Sequence, residues 1–298
     1  LALVAVVRLL PHRAVGVVGR AVGGFLFLTG RRNRGLAERN VEHVYGEQKS
    51  TVEKGKIIRR SFQSVGMAAI ELVLATRWSA DDFRRNITID GIEHWHRATE
   101  AGNGIVAVTG HFGSWEIRNP ALLYRFDVPV SVIGVSSGDS DLDELVRDIR
   151  SVHGVQCFRY GDRSFGYLST LRRGGVVSFI IDRGSAKVRR GPVNFLGTEV
   201  PFPVGFAHLA RQTGAPVLPT FMIRDEAEIT RHRLLFTEPI FSDSDADEKT
   251  DILRITQHAA SALEAQIRCH PEQWAWMLYP WHRGWGQRRI RRTNAPPT

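Results

Sequence analysis

Gly104-Ile-Val-Ala-Val-Thr-Gly-His-Phe-Gly-Ser-Trp-Glu116 is the stretch on which the fold turns. Gly104–Thr109 is short, apolar and β-branched, and it opens after Gly102 and Gly104, which suits a strand buried in a parallel sheet. Working outward, Pro129–Val135, Gly154–Phe158, Val176–Ile181, Pro216–Ile223 and His232–Phe236 have the same texture. Helical patterns separate most of them, at Asp141–His153, Arg163–Arg173, Val204–Gly214 and Asp251–Cys269. Alternation of this kind predicts an α/β fold: a mostly parallel central sheet flanked by helices. Polar residues just beyond the strand ends are then the expected site positions.

Upstream, residues 31–85 read as helices, and Asn86–Glu93 as a short strand and turn. Residues 1–30 are apolar, but Arg8, Pro11, His12, Arg13 and Arg20 interrupt them, so no run reaches the ~18 residues of a spanning helix. Nor do they have the order of a signal peptide, with charges first and a small-residue cleavage site last. An N-terminal helical membrane-docking segment fits better: an interfacial helix pair whose Arg side chains reach the headgroups, with a buried core helix as the alternative. The chain opens at Leu1 rather than Met, which leaves room for an upstream piece that completes an anchor. This divides the chain into a docking segment (1–30), a catalytic domain (31–285) and a basic tail (286–298).

Forty Lys+Arg stand against 31 Asp+Glu, a formal charge of +9 in 298 residues. Such a surplus attracts anionic partners without choosing among nucleic acid, lipid and acidic protein. Cys157 and Cys269 lack metal or disulfide spacing, and the acidic stretch Ser242–Asp251 lacks the Gly and closing Glu of an EF-hand. Neither a metal nor a cofactor is expected.

His111 is the residue of chemical interest, because imidazole exchanges protons near neutrality. A carboxylate can fix its tautomer and support the imidazolium, and Glu116 is the near candidate. Five helical residues turn about 500°, leaving the two side chains about 140° apart, so they meet only if His111 lies in a turn. Gly110 and Gly113 supply the freedom for that turn. Other nucleophile or phosphate motifs are excluded: Ser114 is not in a G-x-S-x-G elbow, no P-loop occurs, and H-E-x-x-H spacing is missing.

His111-Phe-Gly-Ser-Trp-Glu116 resembles the HX4(D/E) motif of the lysophospholipid acyltransferase superfamily. More narrowly, it is similar to the late acyltransferases of lipid A biosynthesis, where H-F-G-N-W-E is usual; Ser114 stands where Asn is commoner. Further blocks follow in order: Arg34–Tyr45, Arg150–Gly154, Ile181-Asp-Arg183, Asn194–Thr198 with Pro203–Gly205, Leu209–Pro219 and His270–Trp276. The resemblance implies a glycerolipid acyltransferase-like fold, with His111 as general base on an acceptor hydroxyl and Glu116 orienting it. The oxyanion would be met by backbone N–H groups near Gly113 or by Arg150, which could instead bind a phosphate; Arg147 and Arg159 are alternatives. Asp182 would be a helix cap, a partner of Arg183, or a catalytic or acceptor-binding group. The donor would be an acyl carrier protein thioester, or acyl-CoA, and the acceptor a lipid A-type glycolipid. An anionic membrane surface, at the cytoplasmic face of the inner membrane, would complete the partners, with no nucleic acid among them. Phosphatidylinositol mannosides or lysophospholipids are rival acceptors, although Pro203-Val204-Gly205 lacks the Glu of the glycerophosphate enzymes' F-P-E-G-T block. An apolar tunnel would hold the acyl chain. Trp274, Trp276, Trp281 and Trp285 form either an interfacial belt or core.

Overall fold

The computed structural model describes residues 12–134, 140–162, 165–183, 188–225, 228 and 230–279. The described residues begin with α1 (His12–Thr29), α2 (Arg31–Tyr45), α3 (Thr51–Ala75) and α4 (Ala80–Asn86). Ser50 with Glu53 and Ser79 with Asp82 form capping boxes that start α3 and α4, each pair satisfying two amide donors that a helix end leaves orphaned. β1 (Ile87–Asp90), α5 (Ile92–Thr99), β2 (Ile105–Thr109), α6 (Arg118–Phe126), β3 (Val130–Gly134) and α7 (Ser140–Ser151) follow. Then come β4 (Gln156–Arg159), α8 (Phe165–Arg172), β5 (Val176–Ile180), β6 (Arg190–Phe195) and β7 (Thr198–Pro203). The fold closes with α9 (Gly205–Thr213), β8 (Val217–Arg224), β9 (His232–Phe236) and α10 (Glu248–Cys269).

Seven strands form one sheet in the order β1-β9-β8-β2-β5-β3-β4, with β2 between β8 and β5. All pairings are parallel except β8 with β9, whose short connection permits only an antiparallel return. β6 and β7 make a separate hairpin, turned by Leu196 and Gly197 at φ +50 and +82. β2 is buried along its whole length. Its side chains alternate between two cores: Ile105 and Ala107 pack with Phe83, Trp95 and Leu122, and Val106 and Val108 with α2, α3, α9 and α10.

Of the segment expected to form a helix pair, residues 12–29 are described and residues 1–11 lie outside the described residues. His12–Thr29 is one helix, and α1 and α2 meet at a 94° bend. No single described helix is long and apolar enough to cross a membrane; α1 and α2 pass that test only as a bent pair. α1 lies against α3 at close range: a Cβ on Gly66 would stand 2.3 Å from the Gly19 carbonyl oxygen, and one on Gly23 2.2 Å from that of Phe62. The opposite face of α1 leaves Val17, Phe25 and Leu28 exposed. Trp274 and Trp276 are fully buried, so they are core and not an interfacial belt. Residues 1–11, the tail 286–298, Trp281 and Trp285 lie outside the described residues.

Candidate active site

Register brings the site together. Thr109 is paired with Ile180 in the parallel β2–β5 ladder, so the positions two residues further on, His111 and Asp182, emerge side by side. Among the described residues the Asp182 carboxylate accepts three hydrogen bonds. The His111 ring donates through Nδ1 to Oδ1 at 2.8 Å, the His111 backbone N–H to Oδ2 at 2.7 Å, and the Trp274 indole N–H to Oδ2 at 2.8 Å. Gly110 makes this approach possible, since a Cβ there would lie 2.8 Å from Asp182 Oδ2 and 2.9 Å from Leu263. Asp182 is buried, and burial pushes its pKa up; the charge and hydrogen bonds of His111, with the indole N–H, outweigh burial and hold it below the usual carboxylate value. With Nδ1–H committed to Asp182, the tautomer leaves the Nε2 lone pair available, and Nε2 has no hydrogen bond among the described residues. The imidazole is 18% exposed, enough to meet a ligand.

Glu116 makes a different partnership from the one its spacing suggested. Its carboxylate receives Arg150 bidentately, Nε to Oε2 at 2.9 Å and Nη2 to Oε1 at 2.7 Å, and the Trp115 indole N–H at 3.0 Å. The carboxylate hydrogen-bonded to the His111 ring is thus Asp182. Burial raises the Glu116 pKa, and the Arg150 charge and hydrogen bonds reverse this to a net lowering. Arg150 is pushed down by burial and more strongly up by Glu116. Two of the five Arg150 donors are thereby used, and Nη1 has no bond among the described residues. Beside the pair lies Arg118, fully buried, its pKa pushed down to about 9 by burial against the opposing pull of Glu116.

Gly113 has φ +58 and passes so close to β8 that a Cβ would stand 1.9 Å from the Met222 carbonyl oxygen. The N–H of Gly113 donates to the Gln273 carbonyl, that of Ser114 to Met222 and that of Phe112 to Gly110. The oxyanion donors expected around Gly113 are therefore occupied, because the loop uses them to hold itself against its neighbours. Arg147 sits at the surface with Glu144, and Arg159 is exposed, so neither shares the Arg150 setting.

Two groups escaped the sequence reading. Residues 273–275 run beside the His111 loop: Phe112 and Trp274 form an antiparallel bridge, and Ala275 N–H donates to the His111 carbonyl at 3.0 Å. Arg224, buried, binds Glu71 bidentately and Ser64, and reaches the Gly113 carbonyl at 3.4 Å. The block His270–Trp276 was visible as a resemblance, but nothing in it points to a partner at Asp182. A cleft of about 280 Å³ between α1 and α3 is lined by Arg20, Arg60, Gln63, Arg224, Asp225 and Glu272 among others, a lining too polar for the expected acyl tunnel.

A histidine held by a buried carboxylate, at the carboxyl end of a central parallel strand, defines an α/β protein equipped to take a proton from a nucleophile. The chain belongs to the bacterial lipid A biosynthesis acyltransferase family, whose sequence model matches residues 1–283, and it is an acyltransferase. It is 24% identical over 269 residues to the lipid A biosynthesis palmitoleoyltransferase of Escherichia coli strain K12, covering 90% of this chain and 85% of that protein. Similarity to the lipid A biosynthesis lauroyltransferase of the same strain is 24% over 274 residues, with the same coverage. The phosphatidylinositol mannoside acyltransferase of Mycobacterium tuberculosis strain H37Rv is 27% identical over 207 residues, 65% of this chain and 59% of that protein.

Proposed function

We propose that the protein transfers a fatty acyl chain from an acyl carrier protein thioester to a hydroxyl of a lipid A-type glycolipid at an anionic membrane surface. The bond between His111 Nδ1 and Asp182 carries this reading, since it leaves Nε2 as the base. The acceptor hydroxyl attacks the thioester carbonyl carbon while Nε2 takes its proton. As the tetrahedral intermediate collapses, the C–S bond breaks and the imidazolium returns the proton to the thiolate. Asp182 supports the imidazolium. Arg150, held by Glu116, offers its unused N–H donors to the oxyanion or to a substrate phosphate. The relatives named for lipid A acylation support the acceptor class, and the basic surplus supports an acidic carrier and an anionic surface.

Lipid mass spectrometry tests this. Wild type and His111→Ala, matched for protein level, are expressed in a Gram-negative host lacking its own late lipid A acyltransferases. One added acyl group on lipid A in wild type alone is the expected result. The same gain in both removes His111 as base, and a gain in neither removes lipid A as the acceptor.

A further inference from the structure

We infer that Trp274 is a positioning residue for the reaction, the group that anchors the His111–Asp182 pair to the rest of the fold. The inference rests on the proposed role of His111 as base. Of the three donors that reach the Asp182 carboxylate among the described residues, two belong to His111 itself, its ring and its backbone N–H. Those two hold the partners to each other just beyond the β2–β5 ladder, where the Ile181 N–H donates to the Thr109 carbonyl. The third, the Trp274 indole N–H at 2.8 Å from Oδ2, comes from a separate segment.

That segment also holds the other partner. The main chain of residues 273–275 brackets the His111 loop: Gly113 N–H donates to the Gln273 carbonyl at 2.9 Å, and Ala275 N–H to the His111 carbonyl at 3.0 Å. Both the acid–base residue and its carboxylate are therefore referenced to Trp274, one through backbone and one through the indole. Trp274 is itself immobilised. It is 1% exposed, stacks edge-on against Trp276 at 4.7 Å and Phe195 at 5.9 Å, and its carbonyl accepts from the buried Ser61 hydroxyl of α3. A side chain with so little freedom makes a fixed donor, and a base held on target needs one.

The indole N–H also tunes the pair. A donor to Asp182 Oδ2 stabilises the carboxylate and makes it a weaker partner for the imidazolium. Loss of that donor loosens the placement of the pair and lowers kcat.

The test compares Trp274→Phe with Trp276→Phe. Trp276 is the neighbouring, equally buried indole, but it donates to the Pro271 carbonyl and does not touch Asp182. Purified full-length protein is assayed with lauroyl-acyl carrier protein as donor and the under-acylated glycolipid extracted from the host strain above as acceptor. Trp274→Phe is expected to lower kcat by about 10- to 100-fold, the range of one hydrogen bond to a charged group. KM should stay within about twofold, because the indole touches the carboxylate and not the substrate. Trp276→Phe should keep the wild-type profile. If the two variants behave alike while His111→Ala is inactive, the anchoring role is overturned and the proposed function stands. An active His111→Ala overturns both. Should Trp274→Phe not fold, the indole N–H resonance of Trp274 in the otherwise wild-type chain is followed instead: it is expected to shift on Asp182→Asn, and an unmoved resonance refutes the contact.

Discussion

Asp182 is a buried carboxylate and Glu116 a mostly buried one, both close to His111, and what separates them is the partner each holds. Asp182 grips the imidazole, whereas Glu116 neutralises Arg150. The two substitutions Asp182→Asn and Glu116→Gln should therefore fail in different ways. Asp182→Asn leaves the ring tautomer unfixed and should cost about 10²–10⁴ in kcat. Glu116→Gln strands a buried guanidinium and should cost ~3–5 kcal/mol of stability. The stability loss has a pH signature. Because the folded pKa of Glu116 is lowered, its contribution is present above the unfolded value of about 4.3 and is lost as pH falls through the folded one. Denaturation curves of wild type and Glu116→Gln should accordingly differ at pH 7 and converge only once the pH has fallen below the lowered folded pKa. If instead Glu116→Gln loses the full catalytic factor without loss of stability and Asp182→Asn is unaffected, Glu116 is the orienting carboxylate after all. His111 was legible in the sequence because it follows a buried strand within five residues of an acid. The hydrogen bond to Asp182 was not, because it depends on which strands are neighbours and in what register, and 71 residues separate the partners.

At the scale of elements, the strands were legible where both faces are covered, as in β2 and β5, since continuous β-branched runs have few other homes. Segment 273–279 has no such pattern. It is irregular, and its place is set by contacts far away in sequence: Asn40 of α2 donates to the carbonyls of Trp276 and Tyr279, and Ser61 of α3 to that of Trp274. The N-terminal helices thus hold the segment that holds the site. Their own seam depends on absent side chains. Gly66→Ala places a methyl 2.3 Å from the Gly19 carbonyl oxygen and 2.5 Å from the Gly23 nitrogen, so α1 must move away from α3. Overpacking of this kind should cost about 1–3 kcal/mol. Gly55, in the same helix, is exposed with nothing within 4 Å of its added Cβ, and Gly55→Ala should gain ~0.5–1 kcal/mol from helix propensity. Thermal unfolding of the two variants checks the seam: a Gly66→Ala protein as stable as wild type means that the helices are not in that contact.

At the scale of the whole molecule, the proposed docking to an anionic surface falls to the N-terminal helices. α1 turns its close-packed glycines to α3 and leaves Val17, Phe25 and Leu28 at 64–70% exposure on the opposite face. Exposed Arg31 and Arg32 stand at the bend into α2. Large apolar side chains in open solvent contribute nothing to folding, but against acyl chains each is worth up to ~1.5–3 kcal/mol, and a basic residue near an anionic headgroup plane adds about 1 kcal/mol. Partition into vesicles should then depend on both parts. On phosphatidylglycerol-containing vesicles, Phe25→Ser/Leu28→Ser should lower the partition coefficient by about 10- to 100-fold, allowing for incomplete insertion. Raising the salt to 1 M, where the Debye length is about 3 Å, should weaken binding to these vesicles and leave binding to neutral phosphatidylcholine vesicles nearly unchanged. Sedimentation with vesicles measures both. If the double variant binds as tightly as wild type, α1 is not the docking element and its apolar face covers something else. If salt has equal effect on both lipids, the arginines at the bend do not meet the headgroups. Docking through α1 would load the seam at Gly66, and α3 carries Ser61, whose hydroxyl holds Trp274; the path from lipid surface to base is then two packed helices and one indole N–H.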